Sequence, residues 1–187
     1  MGFGGFKSAV KKWFDDVGME GGTPGKDDGK PNKTTAKTAK FIADEYEKAI
    51  KKMKTPNGHG PLSYNKSALE KAFKGAFDML DADKTGALKP AAGAMMGAGF
   101  VGFWAGAMMK PAPPSPGQSV GIANPVVSPG APIPVSIGGP SEDTGGLAGA
   151  IASAADKHSK TLAGIHNGLS VPTPATPPLP VPWATIS

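Results

Sequence analysis

A chain of 187 residues has room for one ordinary domain, but 27 Gly and 20 Pro make up a quarter of it, near the level at which low complexity becomes the default reading. Cysteine is absent, which excludes disulfides and thiolate metal sites. The net charge of +5 rests on Lys alone, and without Arg the fork geometry that reads base edges and phosphates is missing, which counts against sequence-specific nucleic-acid binding.

No basic region followed by an apolar core opens the chain, so a secretory signal is not expected. MGFGGF is close to a myristoylation site, but Phe6 stands where Ser or Thr is needed. Residues 5–17 read as a short amphipathic helix, with Phe6, Val10, Trp13, Phe14 and Val17 on one face and Lys7, Lys11 and Lys12 off it. Gly18 is a stop signal, and Glu20 to Asn32 reads as a flexible linker, so residues 1–33 form a first segment. A second segment, residues 34–110, is expected to be a helical head. Its first helix runs over 35–54, with Thr34 or Thr35 as the N-terminal cap and Phe41, Ile42, Tyr46, Ala49, Ile50 and Met53 as the apolar stripe. Thr55 to Pro61 breaks it. A second helix runs from Asn65 to Leu80 with Leu69, Phe73, Phe77 and Leu80 on one face; the two suit an antiparallel pair that needs a third partner.

That partner is the stretch Ala91 to Met109, 19 residues without a charge. Lys89 and Lys110 bracket it, and Pro90 fits a first helical turn. Gly93 with Gly97, and Gly102 with Gly106, make two GxxxG pairs that let a second helix approach closely. The length suits a bilayer, but Ala and Gly contribute little to insertion. A protein-buried helix packed on neighbours is therefore preferred to membrane anchoring, which stays as the alternative. Gly93, Gly97, Gly102, Gly106, Trp104 and, near the C-terminus, Trp183 are the candidate interface residues.

Residues 111–187 hold 15 of the 20 Pro and read as an extended arm. One further helix is expected at about 146–166, with Leu147, Ala150, Ile151, Ala154, Ala155, His158, Leu162 and Ile165 as its stripe and Asn167-Gly168 as its stop. The fold class expected is mostly α: a small helical head with a long Pro-rich arm that gains its order from neighbours and is disordered alone.

Asp81, Asp83, Thr85, Gly86 and Leu88 fall on the first, third, fifth, sixth and eighth positions of an EF-hand loop. The twelfth position, which needs a bidentate Glu, is Ala92, and the ninth is Lys89, so an Asp-rich turn between helices is preferred to a calcium site. Three histidines, His59, His158 and His166, have no second ligand type beside them. No nucleophilic triad and no phosphate loop can be assembled, so no catalytic residue, metal or cofactor is expected and the chain reads as a non-enzyme. PxxP runs near Pro113 and Pro177 suit a spacer or clamp better than an SH3 ligand. Residues 1–110 carry 18 of the 20 Lys and 12 of the 15 acids; the mixing favours a solvated face over a surface for phosphate or anionic lipid.

The lysine-rich helical head, the Ala/Gly/Met helix and the extended arm through NPVVSPGAPIPVSIGGP and PPLPVPW together resemble the small structural proteins of virions, minor capsid, neck or baseplate type, above all those of tailed bacteriophages. The resemblance covers the architecture of the whole chain. It implies a place in the virion, partners that are other virion structural proteins, several symmetric copies and no catalytic residues.

Overall fold

Phe6, Val10 and Phe14 recur every four residues, and all three are buried along α1 (Gly4–Val17). In this computed structural model, which describes residues 3–20, 23–24, 33–53, 60–110, 126–138, 143–165 and 180–182, Gly18 ends α1 as expected. Its φ of 74° is open to glycine, and its N–H reaches Phe14 O at 3.0 Å. Short strands β1 (Met19–Glu20) and β2 (Thr23–Pro24) pair antiparallel at the start of the stretch read as linker.

Helix α2 (Lys33–Ile50) buries Ala39, Ile42, Ala43, Tyr46 and Ile50. It stops four residues short of the expected end, because Lys52 and Met53 bond back only three residues, to Ala49 O and Ile50 O. Thr35, expected as a cap, is buried inside the helix and its hydroxyl donates to Asp78 Oδ1 at 2.8 Å. Strand β3 (Pro61–Ser63) precedes α3 (Lys66–Ala82), whose first turn is capped by Asn65 Oδ1 accepting from Ala68 N at 3.2 Å. Thr35 facing Asp78 and Asp44 facing Lys66 set α2 and α3 antiparallel.

The uncharged stretch does not form one helix of 19 residues. Helix α4 spans Lys89–Trp104, Ala105 turns to extended geometry, Gly106 takes φ 71°, and β4 (Met108–Met109) pairs with β3. Two glycines within five residues weaken the helix there, and β3 offers ladder hydrogen bonds in exchange, with Lys110 N donating to Gly60 O at 2.7 Å. Among the described residues no helix is long and apolar enough to cross a membrane. Ala92, Gly93, Met96, Gly97, Gly99, Phe100, Phe103 and Trp104 are buried along one half of α4, while Ala91, Ala94 and Ala98 on the opposite half are exposed, the pattern of a helix with one face on the core.

After β5 (Val127–Ser128), helix α5 (Thr144–Ser159) starts under an Asp143 cap, with Gly146 N donating to Oδ1 at 2.7 Å. It ends seven residues before the expected end at about residue 166. Thr161 directs both its N–H and its hydroxyl to His158 O, and Ala163–Ile165 forms β6 between β5 and β7 (Pro180–Pro182). The expected stop at Asn167-Gly168 lies outside the described residues.

A single hydrophobic cluster runs from Phe3 to Leu162 and takes in Val127, Val135, Leu147, Ala148, Ile151, Ala154 and Ala155. Helix α5 lies antiparallel along α1, with Thr144 Oγ1 donating to Asp15 Oδ1 at 2.6 Å. The compositional boundary at residue 111 is therefore not a packing boundary. Residues 126–138 and 143–165 find their core on the rest of the same chain, a correction to the expectation that everything after residue 110 waits for a neighbour.

Candidate functional site

The site proposed from sequence was the glycine stripe of α4, and both of its sides are occupied within the chain. On one side lies α3: a Cβ on Gly99 would stand 2.8 Å from Ala72 Cβ and 3.3 Å from Leu69 Cδ1, and one on Gly102 would stand 3.2 Å from Ala68 Cβ. On the other side residues 131–137 run extended across the helix. Val135 N donates to Gly93 O at 3.0 Å. A Cβ on Gly93 would overlap the Val135 carbonyl oxygen, and one on Gly97 would overlap that of Ile133. Gly93 and Gly97 therefore form the floor of a groove that takes a polypeptide backbone rather than a helix. Val135 is buried there, with Ile133 and Ile137 packed at its edges.

The remaining candidates separate. Gly106 is a turn glycine with open space where its Cβ would be. Trp104 is buried, and its Nε1 donates to Tyr46 Oη at 2.9 Å. Tyr46 sits among Phe3, Phe6, Phe100 and Phe103, with ring centroids 4.9–6.0 Å away, and burial pushes its hydroxyl pKa well above the ordinary tyrosine value. These are core roles. Trp183 lies outside the described residues, as do His59, His166 and the PxxP runs.

Two polar clusters flank the groove's supporting helices. Glu47 on α2 is held by Lys51, by the Tyr64 hydroxyl at 2.6 Å and by Lys66 at 2.9 Å, which pull its carboxyl down to about 2. Lys66 also pairs with Asp44, so the cluster locks α2 to the start of α3. In the turn between α3 and α4, Asp83 accepts from Leu88 N at 2.6 Å, from Gly86 N at 2.9 Å, and from both the N–H and the hydroxyl of Thr85. Those donors hold its pKa below the usual carboxylate value. Gly86 has φ 79°, as the turn reading required. Among the described residues no group of three or more His, Asp or Glu is placed to hold a metal ion.

No protein-family model matches this chain, and no curated protein or solved structure matches it. The arrangement itself suits one kind of chemistry, backbone recognition. An alternating, charge-free segment is held by hydrogen bonds and by the missing side chains of two glycines. Sequence reasoning found the glycines but not their occupant, although the alternation of Ile133, Val135 and Ile137 was a readable strand signal. His158, which its spacing placed on the apolar stripe of α5, is fully buried.

Proposed function

We propose that this chain is a virion structural protein that connects larger subunits, of the minor capsid, neck or baseplate type, and that it acts by binding rather than by catalysis. The groove on α4 carries the reading. It shows how a Pro-rich, uncharged stretch of this chain is held, by backbone fit over Gly93 and Gly97 rather than through a ligand set. Recognition of that kind suits a protein whose partners are other polypeptides. The resemblance of the whole architecture to small phage structural proteins points the same way and implies several copies beside other virion proteins. The membrane-anchored alternative rested on one apolar helix over 91–109, but α4 is 16 residues long, and among the described residues no helix is long and apolar enough to cross a membrane.

The reading is tested on purified particles. Quantitative mass spectrometry is expected to find the chain there in several copies. Its absence from particles would overturn the proposal. Deleting residues 168–187 removes β7 but none of the described helices, so it is expected to leave α1 to α5 intact and to reduce incorporation. Normal incorporation of that variant would contradict the connecting role of the C-terminal arm.

A further inference from the structure

His158 is the only buried histidine among the described residues, and its two ring nitrogens are unequally provided for. Nε2 lies 2.8 Å from Pro129 O. A carbonyl can only accept, so Nε2 carries the proton and donates. Nδ1 is buried and has no hydrogen-bond partner among the described residues. The ring lies over Phe100 of α4 with centroids 6.1 Å apart. Its Nε2–H holds the turn at Pro129 and Gly130, where Gly130 takes φ 71° against Thr161. The imidazole thus joins α4, α5 and the start of the extended segment.

We propose that His158 is an acid-sensitive latch: as a neutral imidazole it holds residues 126–138 in the α4 groove, and its protonation releases that segment. A proton added at Nδ1 would place a charge in an apolar site with no acceptor. Among the described residues no opposite charge faces it. The extended segment from Pro129 to Gly138 has no ionisable residue, and the one charged residue of α4, Lys89, lies at the helix's far end. On α5 itself Lys157 and Lys160 are exposed, and Asp156 is engaged with Lys160 at 2.6 Å. Phe100 lies at the outer limit of cation–π reach and compensates little. Burial accordingly lowers the His158 pKa from its usual value, with the Pro129 hydrogen bond a smaller opposing effect.

The sign follows from linkage. The latched form binds fewer protons than the released form. Its contribution is complete above the ordinary histidine pKa of about 6.5 and is lost as pH falls through the lower latched value. The segment gives way before α5 does. Beyond β5 at its start, which pairs with β6, it is tied by single backbone bonds, Val127 N to Ala107 O and Val135 N to Gly93 O, whereas α5 buries Leu147, Ala148, Ile151, Ala152, Ala154 and Ala155.

The test is hydrogen exchange of the full chain at pH 7.5 and 5.0, corrected for intrinsic rates, beside the same measurement on His158→Gln, which keeps a donor but cannot titrate. Protection of residues 126–138 is expected to fall by about tenfold per pH unit separating the two histidine pKa values, with α2 and α3 unaffected and His158→Gln flat. Unchanged protection in the wild type would overturn the latch. So would an equal loss in His158→Gln, or a loss shared by every helix. Should His158→Gln not fold, the wild-type imidazole resonance decides: titration of His158 together with loss of protection supports the latch, and titration without it refutes it.

Discussion

At the scale of single residues, the close approaches to α4 give the sharpest expectations. A side chain at Gly93 or Gly97 meets a backbone carbonyl of the chain's own extended segment, and a carbonyl cannot rotate aside as a side-chain end can. Gly93→Val and Gly97→Leu are therefore expected to lower the stability of the isolated chain by about 1–3 kcal/mol each, the usual cost of overpacking. Denaturant unfolding measures it. Gly106→Ala tests a different property, because nothing crowds that position and only its φ of 71° is at stake; a smaller loss is expected. Trp104→Phe keeps the aromatic bulk but removes the donor to Tyr46 Oη. A buried hydroxyl left without that partner costs about 1–3 kcal/mol, and the double change with Tyr46→Phe should recover part of it.

At the scale of elements, the turn between α3 and α4 and the lock between α2 and α3 both depend on carboxylates whose pKa values the fold lowers. For Glu47 the sign is direct. Its folded value of about 2 lies below the ordinary 4.5, so its contribution is present above pH 4.5 and disappears as pH falls towards 2. Glu47→Gln is expected to flatten the acid limb of the stability profile in that window; an unchanged limb would show that other groups govern it. Asp83 behaves likewise below its usual 3.8, and Asp83→Ala should lower the melting temperature more than Asp81→Ala, because only Asp83 caps the turn through Leu88 N, Gly86 N and Thr85. Calcium titration of the wild type is expected to show no binding tighter than about millimolar. How much of this the sequence discloses differs by element. Helices α1 and α3 were legible because Phe6, Val10, Phe14 and Leu69, Phe73, Phe77, Leu80 keep helical spacing beside Gly18 and Asn65. Helix α4 was legible as apolar but not in its length, since the turn at Gly106 is set by pairing between β4 and β3, far apart in sequence. Helix α5 was placed but overextended, because Ala163–Ile165 suits helix or strand locally and only β5 and β7 decide.

At the scale of the whole molecule, composition misled where packing is non-local. Fifteen Pro after residue 110 suggested an arm without a core, yet Val127, Val135, Leu147, Ile151 and Leu162 join the same cluster as Phe14, Phe77 and Phe100. Helix α1 packs against α5 as well as α2, and the groove of α4 takes its occupant from after residue 126. A chain ending at Lys110 is therefore expected to aggregate or lose its helical content rather than remain a folded head, as circular dichroism and light scattering would show. The most direct test is backbone hydrogen exchange of the isolated full-length chain at neutral pH. If one core unites the two halves, residues 144–159 of α5 should be protected to a degree comparable with α2 and α3. Exchange of that region at the rate of an unfolded chain, with residues 33–104 still protected, would contradict it.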